Sequence, residues 1–268
     1  GLRAMQSVVD TGSANIANAN TPGYRRRDAA LFELVNGGVA STTLHRFNES
    51  TAARLAQLSG DVSYQDTLAK ALGRNQGQLS EASSQLAQAF DSLREAIGAM
   101  ALAPGNAQAR EVTVGKAVAL TSTANAHLRE LDEQAAHLGR EQASTLEQAQ
   151  SVLAQMQELN RAVMRHGPLP ELRDSLAQRA VEFAHLAGGE LRFNPNGTAV
   201  VSIQGRAVLD GDMLGELPPT LGGQAGALAR AQVSTLADRD AVVAALGAFS
   251  ARINEANRRG VDANGQAG

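Results

Sequence analysis

The chain has 268 residues, long enough for one or two domains with a sizeable buried core. Hydrophobic residues make up 43% and aromatic ones only 3%, with no Trp and two Tyr, so the apolar mass is Ala, Leu and Val, the material of closely packed helices. A formal net charge of -3 gives no electrostatic reason to expect nucleic acid or an anionic membrane, and the lack of cysteine excludes disulfides, thiol nucleophiles and thiolate metal sites.

No apolar stretch approaches the roughly 20 residues that span a bilayer. The segment Gly1 to Asn20 also lacks the uninterrupted apolar run of a secretory signal. Gly1 in place of an initiator Met is what a processed or truncated chain would show. Within that first segment Leu2, Met5, Val8 or Val9, Gly12 and Ile16 recur every three to four residues. This predicts an amphipathic helix stopped by the Asn-rich run Asn15 to Asn20. Pro22-Gly23 then meets the requirement of a type II turn, a fixed φ at the second position and tolerance of positive φ at the third. Tyr24 to Val35 predicts a polar, extended arm, and Asn36-Gly37-Gly38 breaks the chain again.

From Asn48 onward Leu55, Leu58, Val62, Gln65 and Leu68 or Leu72 begin a spacing of alternating threes and fours. Leu79, Ser83, Leu86, Phe90, Leu93, Ile97 and Met100 keep that alternation until Pro104-Gly105-Asn106 closes the helix. A third run holds the heptad frame without a proline: Val114, Ala117, Thr121, Ala124, Leu128, Leu131, Ala135, Leu138, Gln142, Thr145, Ala149, Val152, Met156, Leu159 and Val163. A helix from about Val112 to Arg165 would be on the order of 80 Å long, too long to fold into a ball. It must bury its narrow stripe along other long helices, and the two preceding runs are the partners at hand. The small and polar seam residues Ala135, Gln142, Thr145 and Ala149 predict close helix approach or a locally weak middle.

Gly167-Pro168-Leu169-Pro170 ends the third run, and Glu171 to Leu186 predicts a shorter helix with Leu172, Leu176, Val181 and Phe183 turned inward. The period then changes to two. Glu190 to Phe193, the turn Asn194-Pro195-Asn196-Gly197 and Thr198 to Ile203 read as strand, turn and strand, with Arg206 to Leu209 as a third strand before Asp210-Gly211-Asp212. So small a β element is marginal alone and is expected to lean on the helices. After the breaker stretch Pro218 to Gly226, a last helix carries Leu236, Val243, Leu246, Phe249 and Ile253 and stops at Gly260. The expected fold is mainly α, an elongated antiparallel bundle of long heptad-patterned helices with a small β-hairpin element. Its divisions are 1–46, an N-terminal helix and loop; 47–166, a long-helix rod; 167–222, a short helix and β-hairpin; and 223–268, a returning helix of the rod.

Catalytic constellations are missing. The sequence has no Gly-x-Ser-x-Gly elbow, no phosphate-cradling glycine loop and no His-Glu-x-x-His. His137 lies one helical turn from both Glu133 and Glu141, but a solvated helix face with i,i+4 charge pairs accounts for that spacing, so no metal is expected. Asp210-Gly211-Asp212 and Asp262-Ala263-Asn264-Gly265 lack the sixth-position Gly and twelfth-position Glu of a calcium loop and read as turns. Arg25-Arg26-Arg27 reads as a surface or subunit contact. Arg173 and Asp174, and Asp238, Arg239 and Asp240, read as surface charge. Neither an enzymatic activity nor a cofactor is expected.

The stretch Ser13-Ala14-Asn15-Ile16-Ala17-Asn18-Ala19-Asn20-Thr21-Pro22-Gly23-Tyr24 resembles the N-terminal signature of bacterial flagellar axial proteins, the rod, hook and hook-associated family. That signature reads Asn-Ile-Ala-Asn, then Asn-Thr, a small or proline residue, and Gly-Tyr. The Pro-Gly-Tyr-x-Arg form is most similar to the hook-associated members. Glu171-Leu172-Arg173-Asp174-Ser175-Leu176 leading into a β-hairpin, and the run from Ile253 to Gly265, resemble the same members.

The resemblance implies a structural subunit at the hook-filament junction. It would assemble helically with copies of itself, with hook subunits and with the next hook-associated protein, its terminal helix in the inner tube and its middle part facing outward. It implies passage through the flagellar export apparatus without a cleaved signal, work outside the cell, and neither nucleic acid binding nor membrane insertion. The assembly signature would comprise Asn15, Ile16, Asn18, Asn20, Thr21, Pro22, Gly23 and Tyr24, with Asn20 or Thr21 bonding nearby backbone and Tyr24 anchoring the arm. Family members usually carry some ten more residues before Leu2, and an outer domain and a pairing C-terminal helix beyond the Asn-Gly stretch. Without that partner the helix from Leu2 to Ile16 would expose its apolar stripe, to be covered by a neighbouring subunit or by a missing part of the chain. The alternative reading is a cytoplasmic coiled-coil adaptor or export chaperone that binds a partner helix through that stripe.

Overall fold

A computed structural model describes residues 2–20, 26–35, 37–45 and 47–259 of the chain. In chain order the elements are α1 (Leu2–Ala17), β1 (Arg27–Glu33), β2 (Val39–His45), α2 (Glu49–Leu102), α3 (Ala107–His166), α4 (Pro170–Ala187), β3 (Glu190–Phe193), β4 (Ala199–Ile203), β5 (Arg206–Asp210), β6 (Met213–Leu214) and α5 (Gly223–Arg259). The protein is mainly α with a small β element. The turn expected at Pro22-Gly23 and the stop expected at Gly260 lie outside the described residues.

The long helices begin and end where side chains or glycines satisfy their terminal backbone groups. Asn48 caps α2, its Oδ1 accepting from the Thr51 N–H at 3.0 Å. Asn106 caps α3, accepting from the amides of Gln108 at 2.9 Å and Ala109 at 3.3 Å. Pro170 opens α4, where its missing N–H costs nothing. The two heptad runs before Pro104 are one helix of 54 residues, and α3 begins at Ala107, five residues ahead of the expected Val112. At 1.5 Å per residue, its 60 residues make a helix about 90 Å long.

The chain forms two compact units, Gly1–Gln65 with Ala143–Gly226, and Asp66–Gln142 with Ala227–Gly268. In the first unit, Ala52 and Ala56 of α2, Val152 and Met156 of α3, and Leu176 and Phe183 of α4 bury together against Leu191, Val201, Ile203 and Leu209 of a four-stranded antiparallel sheet. The sheet order is β3-β4-β5-β6, so the hairpin expected at Asn194–Gly197 is present, as is the third strand. The two-residue β6 is an addition. Between β4 and β5, Gln204 (φ 51) and Gly205 (φ 78) form a two-residue turn with positive φ at both positions, the twist that hairpins favour. Leaning on the helices takes a specific form: the fully buried Asn160 of α3 donates to the carbonyls of Ala199 and Gly211, both at 2.8 Å, and accepts from the Ala199 N–H at 2.7 Å.

In the second unit α3 runs back along α2, with the Thr113 hydroxyl donating to the Ala96 carbonyl at 3.2 Å. Ala71, Leu138, Leu228 and Ala231 form its apolar cluster with Leu68 beside it. Polar ties set the position of α5. Asn75 donates to Asp238 at 2.9 Å, Arg239 pairs with Asp132 at 2.7 Å, and Gln232 donates to the Ala135 carbonyl at 3.1 Å. Asp238 and Arg239, read from sequence as surface charge, thus hold helices together; their partners are 163 and 107 positions away, beyond the reach of local spacing. The rings of Phe90 and Phe249 meet edge to face at 4.8 Å.

The expected seams hold over the centre and C-terminal part of α3 and the second half of α2 and fail elsewhere. In the first half of α2, Leu55, Leu58, Val62 and Gln65 are exposed, and the small residues Ala52, Ala56 and Ser63 turn inward, where α2 packs closely on its unit. From Ala124 to Val163 the α3 positions are buried or half-buried as expected, whereas Val114 and Thr121 face solvent and Leu120 turns inward. A straight helix turns away from a heptad frame by about 20° per repeat, so a frame set by the centre departs from the inner face several turns away. In α2 the exposed Ser83 gives way to its buried neighbour Ala82. In α5, Leu236, Val243 and Ile253 are exposed, and Leu228, Ala231 and Thr235 form the inner face. On α4, Leu176 and Phe183 are buried as the spacing predicts, with Leu172 and Val181 half-buried.

Candidate assembly surface

α1 turns its small and polar residues toward the rest of its unit and its large apolar ones away. Ala4 is buried, and Ser7, Val8, Thr11, Ala14, Asn15 and Asn18 are half-buried along the same side. On the opposite side Leu2, Met5, Val9 and Ile16 are 89%, 64%, 60% and 80% exposed. Spacings of three, four and seven residues put these four on one stripe of the helix. The stripe expected from sequence is therefore a solvent-facing surface, and Ile16 of the signature belongs to it.

The arm expected from Tyr24 to Val35 is half of a hairpin. β1 pairs antiparallel with β2 from Arg27↔His45 to Glu33↔Val39. The pairing strand went unread in the sequence, although Val39-Ala40-Ser41-Thr42-Thr43 is rich in β-branched residues directly after a glycine break. Around its tip Leu31, Phe32, Leu34, Val35 and Val39 are exposed. Large apolar side chains this dense on both α1 and the hairpin form the kind of surface that partners cover.

Asn15 ties the two parts together. Its side-chain amide donates to the Arg27 carbonyl at 2.7 Å and accepts from the Arg27 N–H at 2.9 Å, pairing with a strand residue as a backbone peptide would. Asn18 donates to the Ala14 carbonyl at 2.9 Å and closes the last turn of α1. Asn20 is exposed in the turn that follows. Thr21, Pro22, Gly23 and Tyr24 lie outside the described residues, as does Arg25.

Two charge readings change. Arg27 pairs with Glu171 of α4 at 2.8 Å and is an intrachain tie, whereas Arg26 pairs with Asp28 at 3.2 Å on the surface. Arg173 is three-quarters buried: it pairs with Glu49 and lies 4.4 Å above the Phe47 ring. Phe47 carried no sequence signal beyond its place just ahead of the Asn48 cap. His137 lies 3.7 Å from Glu141 on an exposed face, and among the described residues no three His, Asp or Glu are gathered to hold a metal ion. No helix among the described residues is long and apolar enough to cross a membrane.

Residues 72–220 match the family described as the flagellar hook-associated protein FlgK helical domain, and residues 1–25 match the flagella basal body rod protein family. The chain is 27% identical over 193 residues to flagellar hook-associated protein 1 of Bacillus subtilis (strain 168), a match covering 65% of this chain and 38% of that protein. The flagellar hook junction protein FlgK from Burkholderia pseudomallei has the same fold, with a TM-score of 0.54 at 18% identity over 69% of this chain and 39% of that one. The chain thus spans well under half the length of the relatives it matches.

Proposed function

The chain belongs to the flagellar hook-associated protein FlgK helical domain family, and on that premise we propose that it is a structural subunit joining hook to filament by helical self-assembly. The observation that carries the reading is the outward apolar stripe Leu2, Met5, Val9 and Ile16. Fully burying a side chain of this size contributes about 1.5–3 kcal/mol, so four in a row on one helix form a strong association surface. The signature Asn15 to Tyr24 then acts as the joint between that helix and the rest of the subunit, with Asn15 fastening α1 to the hairpin. Its partners are copies of itself, hook subunits and the next hook-associated protein. It reaches the outside of the cell through the flagellar export apparatus without a cleaved signal, and it catalyses no reaction.

The test is to replace Met5 and Val9 with Glu in the full protein. Because both side chains face solvent, the far-ultraviolet circular dichroism and melting temperature should match the parent while incorporation at the hook-filament junction is lost. Normal junctions with the doubly substituted protein would refute the role of the stripe. Recovery of the protein only from cytosol, with normal junctions in a deletion strain, would instead support the adaptor or chaperone.

A further inference from the structure

The first turn of α4 touches the base of the β1–β2 hairpin at two separate points. Glu171 receives the guanidinium of Arg27, the first residue of β1, at 2.8 Å. Arg173, two residues on, reaches the other end, where the chain leaves β2 and enters α2. Its guanidinium pairs with Glu49 in the first turn of α2, lies 4.4 Å above the Phe47 ring and is 5.8 Å from the Phe193 ring of β3. Phe47 and Phe193 meet edge to face at 5.2 Å, so the charged plate sits over an aromatic corner. Both carboxylates stand in the first turn of a helix, where the helix dipole favours their negative charge with or without the arginines.

We propose that Glu171 and Arg173 form a two-point seat that fixes the direction in which α1 and the hairpin leave the helices of their unit. Arg173 is the principal positioning residue. The contacts run in series: Asn15 holds α1 to Arg27, Arg27 docks on Glu171, and Arg173 grips Phe47 and Glu49 on the return path. A two-stranded hairpin has too little core to hold a direction by itself. One strap would leave a swivel, and two straps at the opposite ends of the hairpin base remove it. A planar, stacked cation is required at 173, because lysine keeps the charge and loses the plate. The seat stands on this geometry; its consequence for assembly, that the apolar stripe of α1 is presented in one orientation, rests on the function proposed above.

The protein has no cysteine, so two can be introduced for spin labels without background. Ser13 on α1 and Gln178 on α4 are both exposed. In the S13C/Q178C protein, double electron-electron resonance should give one narrow distance distribution. R173A and the double variant R173A/E171Q should broaden it progressively, with R173K between parent and R173A, while the melting temperature of the helices stays near that of the parent. A cation–π pair of this kind shifts the docked-to-undocked ratio about tenfold. If R173A also disturbs the helices, R173K and E171Q carry the test, since each leaves a side chain of similar size. Distributions as narrow as the parent's in R173K and E171Q, and in R173A wherever its helices remain folded, would overturn the seat. Incorporation at the hook-filament junction is scored separately. Broadened distances with unimpaired incorporation leave the seat standing and remove its link to assembly.

Discussion

Replacing the fully buried Asn160 with alanine removes three hydrogen bonds, two of them to the buried Ala199. The side chain donates to two carbonyls, Ala199 and Gly211, at 2.8 Å each, and accepts from the Ala199 N–H at 2.7 Å. Each such bond contributes about 1 kcal/mol net, and an orphaned buried backbone group costs about 1–3 kcal/mol. The loss should therefore come to about 3–5 kcal/mol, near the upper end for a single substitution. The bonds join α3 to the start of β4 and to the turn after β5, so the effect should be confined to the first unit. Guanidinium unfolding followed by circular dichroism measures the loss, and hydrogen exchange at the Ala199 amide locates it. Asn75→Ala, which removes one bond to the Asp238 carboxylate in the second unit, is the control and should cost about 1.5–3 kcal/mol, the range for a bond to a charged group. If Asn160→Ala costs no more than the control and the Ala199 amide stays protected, the three bonds do not hold the sheet to the helix.

Other outcomes follow from contacts of the same kind. Gly60→Ala would place a Cβ 2.8 Å from the Ala184 carbonyl oxygen and 3.3 Å from the Gly188 Cα, and should destabilise the first unit by about 1–3 kcal/mol in thermal unfolding. Gly77→Ala on the same helix meets nothing within 4 Å and should stabilise by about 0.5–1 kcal/mol. Asn15→Ala should raise hydrogen exchange in β1 and β2 and leave the exchange of α4 unchanged, because it removes two bonds that hold β1 at Arg27. Phe249→Ala removes the edge-to-face contact with Phe90 and should increase exchange along the last turns of α5, with no change at Ala199.

Where the signal is repetitive or stereochemical, the fold is legible in the sequence. The unbroken α3, the stop at Pro104-Gly105-Asn106, the hairpin around Asn194–Gly197 and the apolar stripe of α1 all follow from period, capping and turn chemistry acting over a few residues. Periodicity misplaces the inner face at Leu55, Leu58, Val62, Val114, Thr121, Leu236, Val243 and Ile253, where a straight helix has turned out of the heptad frame or small residues pack inward in place of large ones. Asn160 carries a local sign of its role too: it is a polar residue one turn from both Met156 and Val163, and so stands on the buried face.

Periodicity says which side of a helix is apolar; it does not say whether anything covers that side. On α1 the large residues are left open and small ones face inward, because the hairpin and α1 approach through Asn15 and not through Leu2 or Met5. Helix content, helix ends and the hairpin turn are written locally, since each depends on atoms within about one turn of chain. The partners of Arg27, Arg173, Asp238 and Arg239 were decided only by tertiary structure. A charged side chain on a helix face has the same local signature whether water surrounds it or a residue more than a hundred positions away closes over it.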